Sequence, residues 1–381
     1  MTLPMADTAT HFDVIVLGAG MAGASIAAEL APQRRVLLLE LEDQPGRHTT
    51  GRSAAMFFES YGNAMVRGLT RASRAFLEQP PEGFADVPLM SPRAALFVAG
   101  PDAVPRLQDM LGSFQEGTGL KPLPREEALR QVPILRPEAV AAAALDDSGR
   151  DMEVAAILQG YLRLLRRAAA QVVLGAGEVA LHRQAGQWTV DSRAGRFQAP
   201  VLVNATGAWA DVVARQAGAR PVGLQPMRRT AMTIAAPEGH DTRHWPMVID
   251  VDETVYFKPD AGQLLLSPAN EDPMDPCDVV PEELDIAIAV DRFETFTTHP
   301  VRRIAHRWAG LRSFVADRSP VAGWDTQAEG FFWLAGQGGY GIQMAPALAR
   351  AAAALVLGQA LPADIAAQGV TAQALSAQRL Y

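Results

Sequence analysis

Asp13-Val14-Ile15-Val16-Leu17 is a short apolar run that breaks into Gly18-x-Gly20-x-x-Gly23, and the Ala-rich stretch from Met21 to Leu30 reads as a helix. A second apolar run, Arg35 to Leu39, ends at Glu40. Strand, glycine turn, helix and strand in succession define a β-α-β unit, and its parallel strands need cover on both faces. In that context each glycine has its own task. Gly18 makes the turn, Gly20 lets a pyrophosphate approach the backbone, and Gly23 lets helix and strand pack closely. The free N–H groups of the first helical turn, around Ala22, meet negative charge there. Glu40 stands at the end of the second strand, about twenty residues on, where a carboxylate accepts both hydroxyls of an adenosine ribose.

Two later segments repeat the pattern of small residues directly after a strand. They are Val201 to Trp209, which contains Gly207, and Gly336-Gln337-Gly338-Gly339-Tyr340-Gly341-Ile342. A long, extended cofactor needs such extra points of close backbone approach, and this favours FAD over NAD. The intervening sequence differs in character. Residues 85–145 are rich in Pro, Arg and Glu and look inserted. Met152 to Ala170 reads as an amphipathic helix, followed by alternating stretches from Gln171 to Val190 that resume the first unit. From Gln225 to Thr298, short alternating segments such as Thr254 to Lys258 and Gln263 to Ser267 suggest an antiparallel sheet. Phe331 to Ala335 is a buried strand, and Ala345 to Leu357 a helix that closes the chain as it opened.

Composition removes several function classes. The chain of 381 residues is long enough for two or three units with cores of their own, and 49% hydrophobic with 20% charged residues is ordinary for a globular α/β protein. A net charge of -8 argues against a nucleic-acid partner. Lys121 and Lys258 are the only lysines, so an arginine by itself says little. Cys277, the single cysteine, cannot form a disulfide within the chain, which points to a reducing compartment and the cytoplasm. Met1 to Thr10 lacks the basic start and apolar core of a signal peptide, and Arg350 interrupts the longest alanine-rich stretch, so no membrane span is predicted.

Longer strings carry a family resemblance. These are the N-terminal glycine motif, His48-Thr49-Thr50-Gly51-Arg52-Ser53-Ala54-Ala55, Leu224-Gln225-Pro226 with Arg228-Arg229, Trp308 to Asp317 (WAGLRSFVAD), and Gly338 to Gln343. With them the sequence resembles the D-amino-acid oxidase superfamily of FAD enzymes, in particular the bacterial D-arginine dehydrogenases, over nearly its whole length. The resemblance implies a Rossmann-type α/β FAD-binding domain assembled from 1–84, 146–224 and 303–381. A substrate domain of α+β type with a mixed, largely antiparallel sheet would come from 85–145 and 225–302. It further implies noncovalent FAD, with the segment from Thr49 to Met56 wrapped around the flavin and Ser53 and Ala54 close to the ring. Gly338 to Gln343, including Gly339, Tyr340, Gly341 and Ile342, would start the last helix with its N–H groups toward the flavin C2 carbonyl. Glu178 or Val179 would lie against the adenine through backbone atoms.

For the substrate, the resemblance implies that Arg229 and Arg312 hold an α-carboxylate, a task suited to the planar guanidinium fork. Tyr256 would contact the carboxylate and Tyr61 the side chain and amine. The Gly310 carbonyl would accept a hydrogen bond from the amine, and Gln343 would make a polar contact. Arg228 reads as structural. His48 lies in the flavin loop without the surroundings of a general base, no metal site is expected, and Cys277 reads as inert. The activity implied is oxidation of a small D-amino acid by hydride transfer to flavin N5, giving an imino acid that water hydrolyses. Oxygen and a quinone both remain open as electron acceptor. The alternatives are a 2-hydroxy-acid dehydrogenase, which needs a base for the hydroxyl proton, and a glycine- or sarcosine-type secondary amine oxidase. One departure is specific to this chain. Where D-arginine dehydrogenases carry a glutamate for the substrate cation, this sequence has Ala95, and Met56 and Phe58 replace a histidine and a threonine. An apolar or neutral substrate side chain follows, unless a loop shift brings another carboxylate, for example Glu59, into the vacancy.

Overall fold

The computed structural model describes residues 9–113 and 119–381. The first apolar run forms the strand Val14–Leu17 at the middle of a six-stranded sheet. Across that sheet the order is Gln171–Val173, Val36–Leu39, Val14–Leu17, Val201–Asn204, Phe331–Ala335 and Val321–Trp324. The first five strands are parallel and the last is antiparallel. Because side chains alternate along a strand, Val14 and Val16 enter one core with Phe332 and Leu334, while Ile15 and Leu17 enter another with Phe331 and Trp333. The helices Met21–Leu30, Ala64–Glu78, Val154–Arg167 and Gly341–Val356 cover the first face. A four-stranded sheet closes the second, with Trp188, Val190 and Phe197 facing in.

Two glycines of the opening motif are required by this packing. A Cβ on Gly23 would lie 1.8 Å from the Gly18 carbonyl oxygen. Gly18 itself has φ +95, and a Cβ there would come within 2.6 Å of the Ala205 oxygen.

The second unit is a nine-stranded sheet. Gln225–Ala235, Gln263–Ser267, Tyr256–Asp260 and Met247–Asp250 pair antiparallel in that order, and Met247–Asp250 then runs parallel to Ala95–Ala99. Ala142–Asp146 and Leu120–Leu123 extend this edge, so the inserted region 85–145 and the segment after 225 build one sheet. The segment 303–381, expected to lie wholly with the cofactor unit, divides differently. Its strand Ile304–Phe314 pairs along almost the whole of Gln225–Ala235, so the change of sheet comes after Phe314. The alternating stretch after Gln171 also divides. Only Gln171–Val173 joins the parallel sheet, while Ala180–Gln184 and Gln187–Ser192 form a hairpin in the four-stranded sheet. Its turn, Ala185-Gly186, has φ +49 and +79, the geometry of a two-residue hairpin. The last helix starts at Gly341, earlier than its apolar pattern indicates, because the glycines before it contribute no hydrophobic signal.

Candidate functional site

A cavity of about 700 Å³ opens at the carboxyl ends of the parallel strands and runs under the nine-stranded sheet. Its lining begins at Leu41, Val179 and Val212, passes the glycine loop, and ends at Arg229, Tyr256 and Arg312. At one end, the helix Met21–Leu30 starts at Gly20 without a side-chain cap. Glu40 is fixed beside it: Oε2 accepts from the Ala19 N–H at 2.5 Å and Oε1 from the Glu42 N–H at 3.1 Å. A carboxylate has about four acceptor sites, so capacity remains for a diol. Farther along, Gly207 has φ +58 and open space where a Cβ would stand. Then the helix Gly341–Val356 begins, again with no side-chain cap and no acidic residue in its first turn. Two helix starts facing one cavity suit a cofactor with a pyrophosphate at one point and a carbonyl that gains negative charge on reduction at another. The residues present fit FAD.

The loop expected around the flavin is bonded to the other long motif of the sequence. Thr49 Oγ1 donates to the Leu311 carbonyl at 2.7 Å, Arg52 Nη1 to the Ala309 carbonyl at 3.1 Å, and Trp308 Nε1 to the Arg52 carbonyl at 3.0 Å. Thr50 Oγ1 accepts from the Met21 N–H at 3.0 Å, which ties the same loop to the glycine turn. Arg52 also pairs with Asp278. Ala22, Thr49, Thr50, Arg52, Ser53, Ala54, Gly338, Gly339, Gly341 and Ile342 border the cavity, whereas Gly23, Gly51, Ala55, Met56 and Tyr340 do not. Gly51 is needed for the loop itself, since a Cβ there would meet the Gly46 oxygen at 2.7 Å. Gly338, at φ +53, would drive a Cβ to 2.1 Å from the Phe314 ring.

At the far end the polar groups converge. Arg229, on Gln225–Ala235, stands in register with Gly310 on Ile304–Phe314, and Arg312 lies two positions farther along that strand. Arg229 is buried, with Nε donating to the Asn270 carbonyl at 2.7 Å and Nη2 paired with Glu271 at 3.1 Å. Arg312 Nη1 donates to the Tyr61 hydroxyl at 3.4 Å. Among the described residues no carboxylate pairs with Arg312. Burial pushes the Tyr61 hydroxyl up to about 12 against the pull of Arg312. Burial acts on Tyr256 in the same sense, but Arg312, Arg229 and a hydrogen bond with Ser267 outweigh it and hold that hydroxyl below the ordinary tyrosine range. Burial and the nearby Arg312 lower Arg229, yet a guanidinium stays charged throughout the physiological range.

Other expected residues take different places. Gln343 is buried with both ends of its amide engaged: Oε1 accepts from the Phe58 N–H at 3.3 Å and Nε2 donates to Thr70 Oγ1 at 2.9 Å. It ties the last helix to the core and does not border the cavity. Met56, Phe58 and Ala95 gather with Tyr256, Phe97 and Tyr61 in one apolar cluster. Glu59 is held by Arg74 at 2.7 Å and is not available to the vacancy at Ala95. Arg228 is a structural ion-pair centre for Asp272, Glu282 and Asp285. His48 borders the cavity, pairs with Glu42 at 2.9 Å, and rests on the Trp209 ring. Motif reasoning missed Glu271, Asn270 and Ser267, which lie in or just before a loop with no sequence signature. It also missed Asp146, directly opposite Ala95, whose carboxylate accepts from Ser60 and from the Ser148 N–H. Among the described residues there is no cluster able to hold a metal, and no helix is long and apolar enough to cross a membrane.

A mainly parallel sheet whose strand ends open onto a cofactor cavity, with a mixed sheet bearing Arg229 and Arg312 on its far side, defines a flavin oxidoreductase fold. The FAD-dependent oxidoreductase (DAO) family matches residues 13–355, and the chain belongs to that family; FAD is its cofactor. Glycine oxidase from Geobacillus kaustophilus superimposes with a TM-score of 0.80 at 22% identity, over 92% of this chain and 95% of that one. L-proline dehydrogenase from P. horikoshii gives 0.82 at 20% identity, over 98% of both chains. In sequence, the chain is 25% identical to the bovine (Bos taurus) FAD-dependent oxidoreductase domain-containing protein 1, over 91% of this chain and 81% of that protein.

Proposed function

We propose that this enzyme oxidises the carbon–nitrogen bond of a small D-amino acid with an apolar or neutral side chain. The observation that carries the reading is Arg312, a guanidinium deep in the cavity wall with no carboxylate partner among the described residues. A partly buried cation without its counter-ion is costly, and the carboxylate of a substrate supplies one. Arg229 and Tyr256 border the same space, so the three groups fix an α-carboxylate and with it the α-carbon. Bound FAD supplies the two-electron acceptor for the α-hydrogen.

The chain's own task is therefore positioning and exclusion of water, and Gly310 borders the cavity, where the sequence resemblance has its carbonyl accept from the substrate amine. The D-configuration rests on the sequence resemblance. The apolar preference rests on the apolar cluster that packs Met56, Phe58 and Ala95 behind Tyr256 and Ala54 of the cavity wall, and on Glu59 being held by Arg74. Oxidation of a 2-hydroxy acid is less well served, because the histidine of the cavity lining, His48, contacts Glu42 and Trp209 and none of Arg229, Tyr256 and Arg312. Anaerobic mixing with D-methionine should bleach the flavin's visible band, whereas the amine left after removing its carboxylate should not. Equal bleaching by both would sink the reading.

A further inference from the structure

The loop after Gln263–Ser267 turns through Ala269, left-handed at φ +52, and brings the Asn270 carbonyl and the Glu271 side chain together against Arg229. The same Glu271 carboxylate accepts from Arg318 Nη2 at 2.9 Å on each of its oxygens. Arg318 lies 3.8 Å over the Phe314 ring and is hydrogen-bonded to Tyr340, a neighbour of Tyr61. Glu271 thus joins Arg229 of the cavity wall to the half-exposed Arg318.

The balance of charge follows from these contacts. Arg229 and Arg312 are the guanidinium groups of this end of the cavity wall. Glu271 pairs with Arg229, and among the described residues no carboxylate pairs with Arg312. Arg228 does not enter, since Asp272, Glu282 and Asp285 already surround it. One guanidinium of the wall is thus left without a carboxylate partner, and an amino acid with a neutral amine carries one negative charge.

We propose that Glu271 is a specificity-determining residue: by neutralising one of the guanidinium groups it restricts the site to substrates with a single carboxylate, and its removal admits dicarboxylates. The proposal rests on the reading of Arg229 and Arg312 as the carboxylate-binding pair. Glu271 is partly exposed, so solvent weakens its field. A unit charge acting over about 6 Å in such surroundings changes an anion's affinity on the order of tenfold.

The test uses the FAD-loaded protein and two carboxylates that cannot be oxidised at a carbon–nitrogen bond, propionate and succinate, each titrated by the change in the flavin visible spectrum. Wild-type protein should bind propionate more tightly than succinate. In Glu271→Gln the ratio of the two dissociation constants should move about tenfold toward succinate. Arg318→Gln should move it the other way, because Glu271 then falls wholly to Arg229. This second variant, at a half-exposed position, decides the matter if Glu271→Gln does not retain flavin. An unchanged ratio in a flavin-loaded variant overturns the role of Glu271 while leaving the carboxylate site intact. Failure of wild-type protein to bind either anion overturns the carboxylate reading, and this inference with it.

Discussion

In the proposed reading, Arg312 and Tyr256 are two side chains of opposite chemistry that serve one carboxylate. Among the described residues no carboxylate pairs with Arg312, and replacing it with methionine should remove about 2–5 kcal/mol of carboxylate recognition, the usual effect of leaving one member of a buried charged pair alone. Flavin should stay bound. In Arg312→Met, kcat/KM for an amino acid should fall far more than for the matching amine without a carboxylate; equal damage to both would show that Arg312 does not read that group. Tyr256 adds a pH dependence whose sign is fixed by its surroundings. Its hydroxyl is held below the ordinary tyrosine range, so it ionises before Tyr61, which sits at about 12. The phenolate repels a bound anion. The affinity for propionate should therefore weaken as pH rises toward the tyrosine range, and Tyr256→Phe should flatten that limb. A limb that persists unchanged in Tyr256→Phe would assign it to another group.

At the scale of elements, cofactor binding depends on a helix seated directly on a strand turn. Gly23→Ala would place a methyl 1.8 Å from the Gly18 oxygen, so helix and turn must separate. Overpacking of this kind costs roughly 1–3 kcal/mol, and here it also displaces the N–H groups meant for the pyrophosphate. The variant should purify with a lower flavin content and a lower Tm; full flavin occupancy would contradict the account. The strand Ala95–Ala99 offers the converse test, since Ala95 is wholly buried in the apolar cluster with Asp146 opposite. Ala95→Glu should raise kcat/KM for D-arginine relative to D-leucine, with some loss of stability from the crowded site. An unchanged ranking in flavin-loaded protein would refute the reading of this position.

Across the whole molecule, the features legible in the sequence were those set by local chemistry. Apolar runs ending in glycine marked Val14–Leu17 and Phe331–Ala335, because a doubly covered strand must be apolar throughout and a close backbone approach excludes a side chain. Arg229 and Arg312 could be named from the strings around them. What pairs with them could not. Glu271 reaches Arg229 through a loop whose sequence has no pattern, and the bonds from Gln343 to Phe58 and Thr70 join residues far apart in the chain. Sheet membership of Ile304–Phe314 was likewise hidden, because an alternating strand does not reveal its partner. The whole account meets its most direct test in anaerobic mixing of the purified protein with D-leucine, L-leucine and the corresponding 2-hydroxy acid. Rapid bleaching of the flavin by D-leucine, with little from the other two, is the predicted result; bleaching led by the hydroxy acid, or by none of the three nor any other small amino acid, would contradict it.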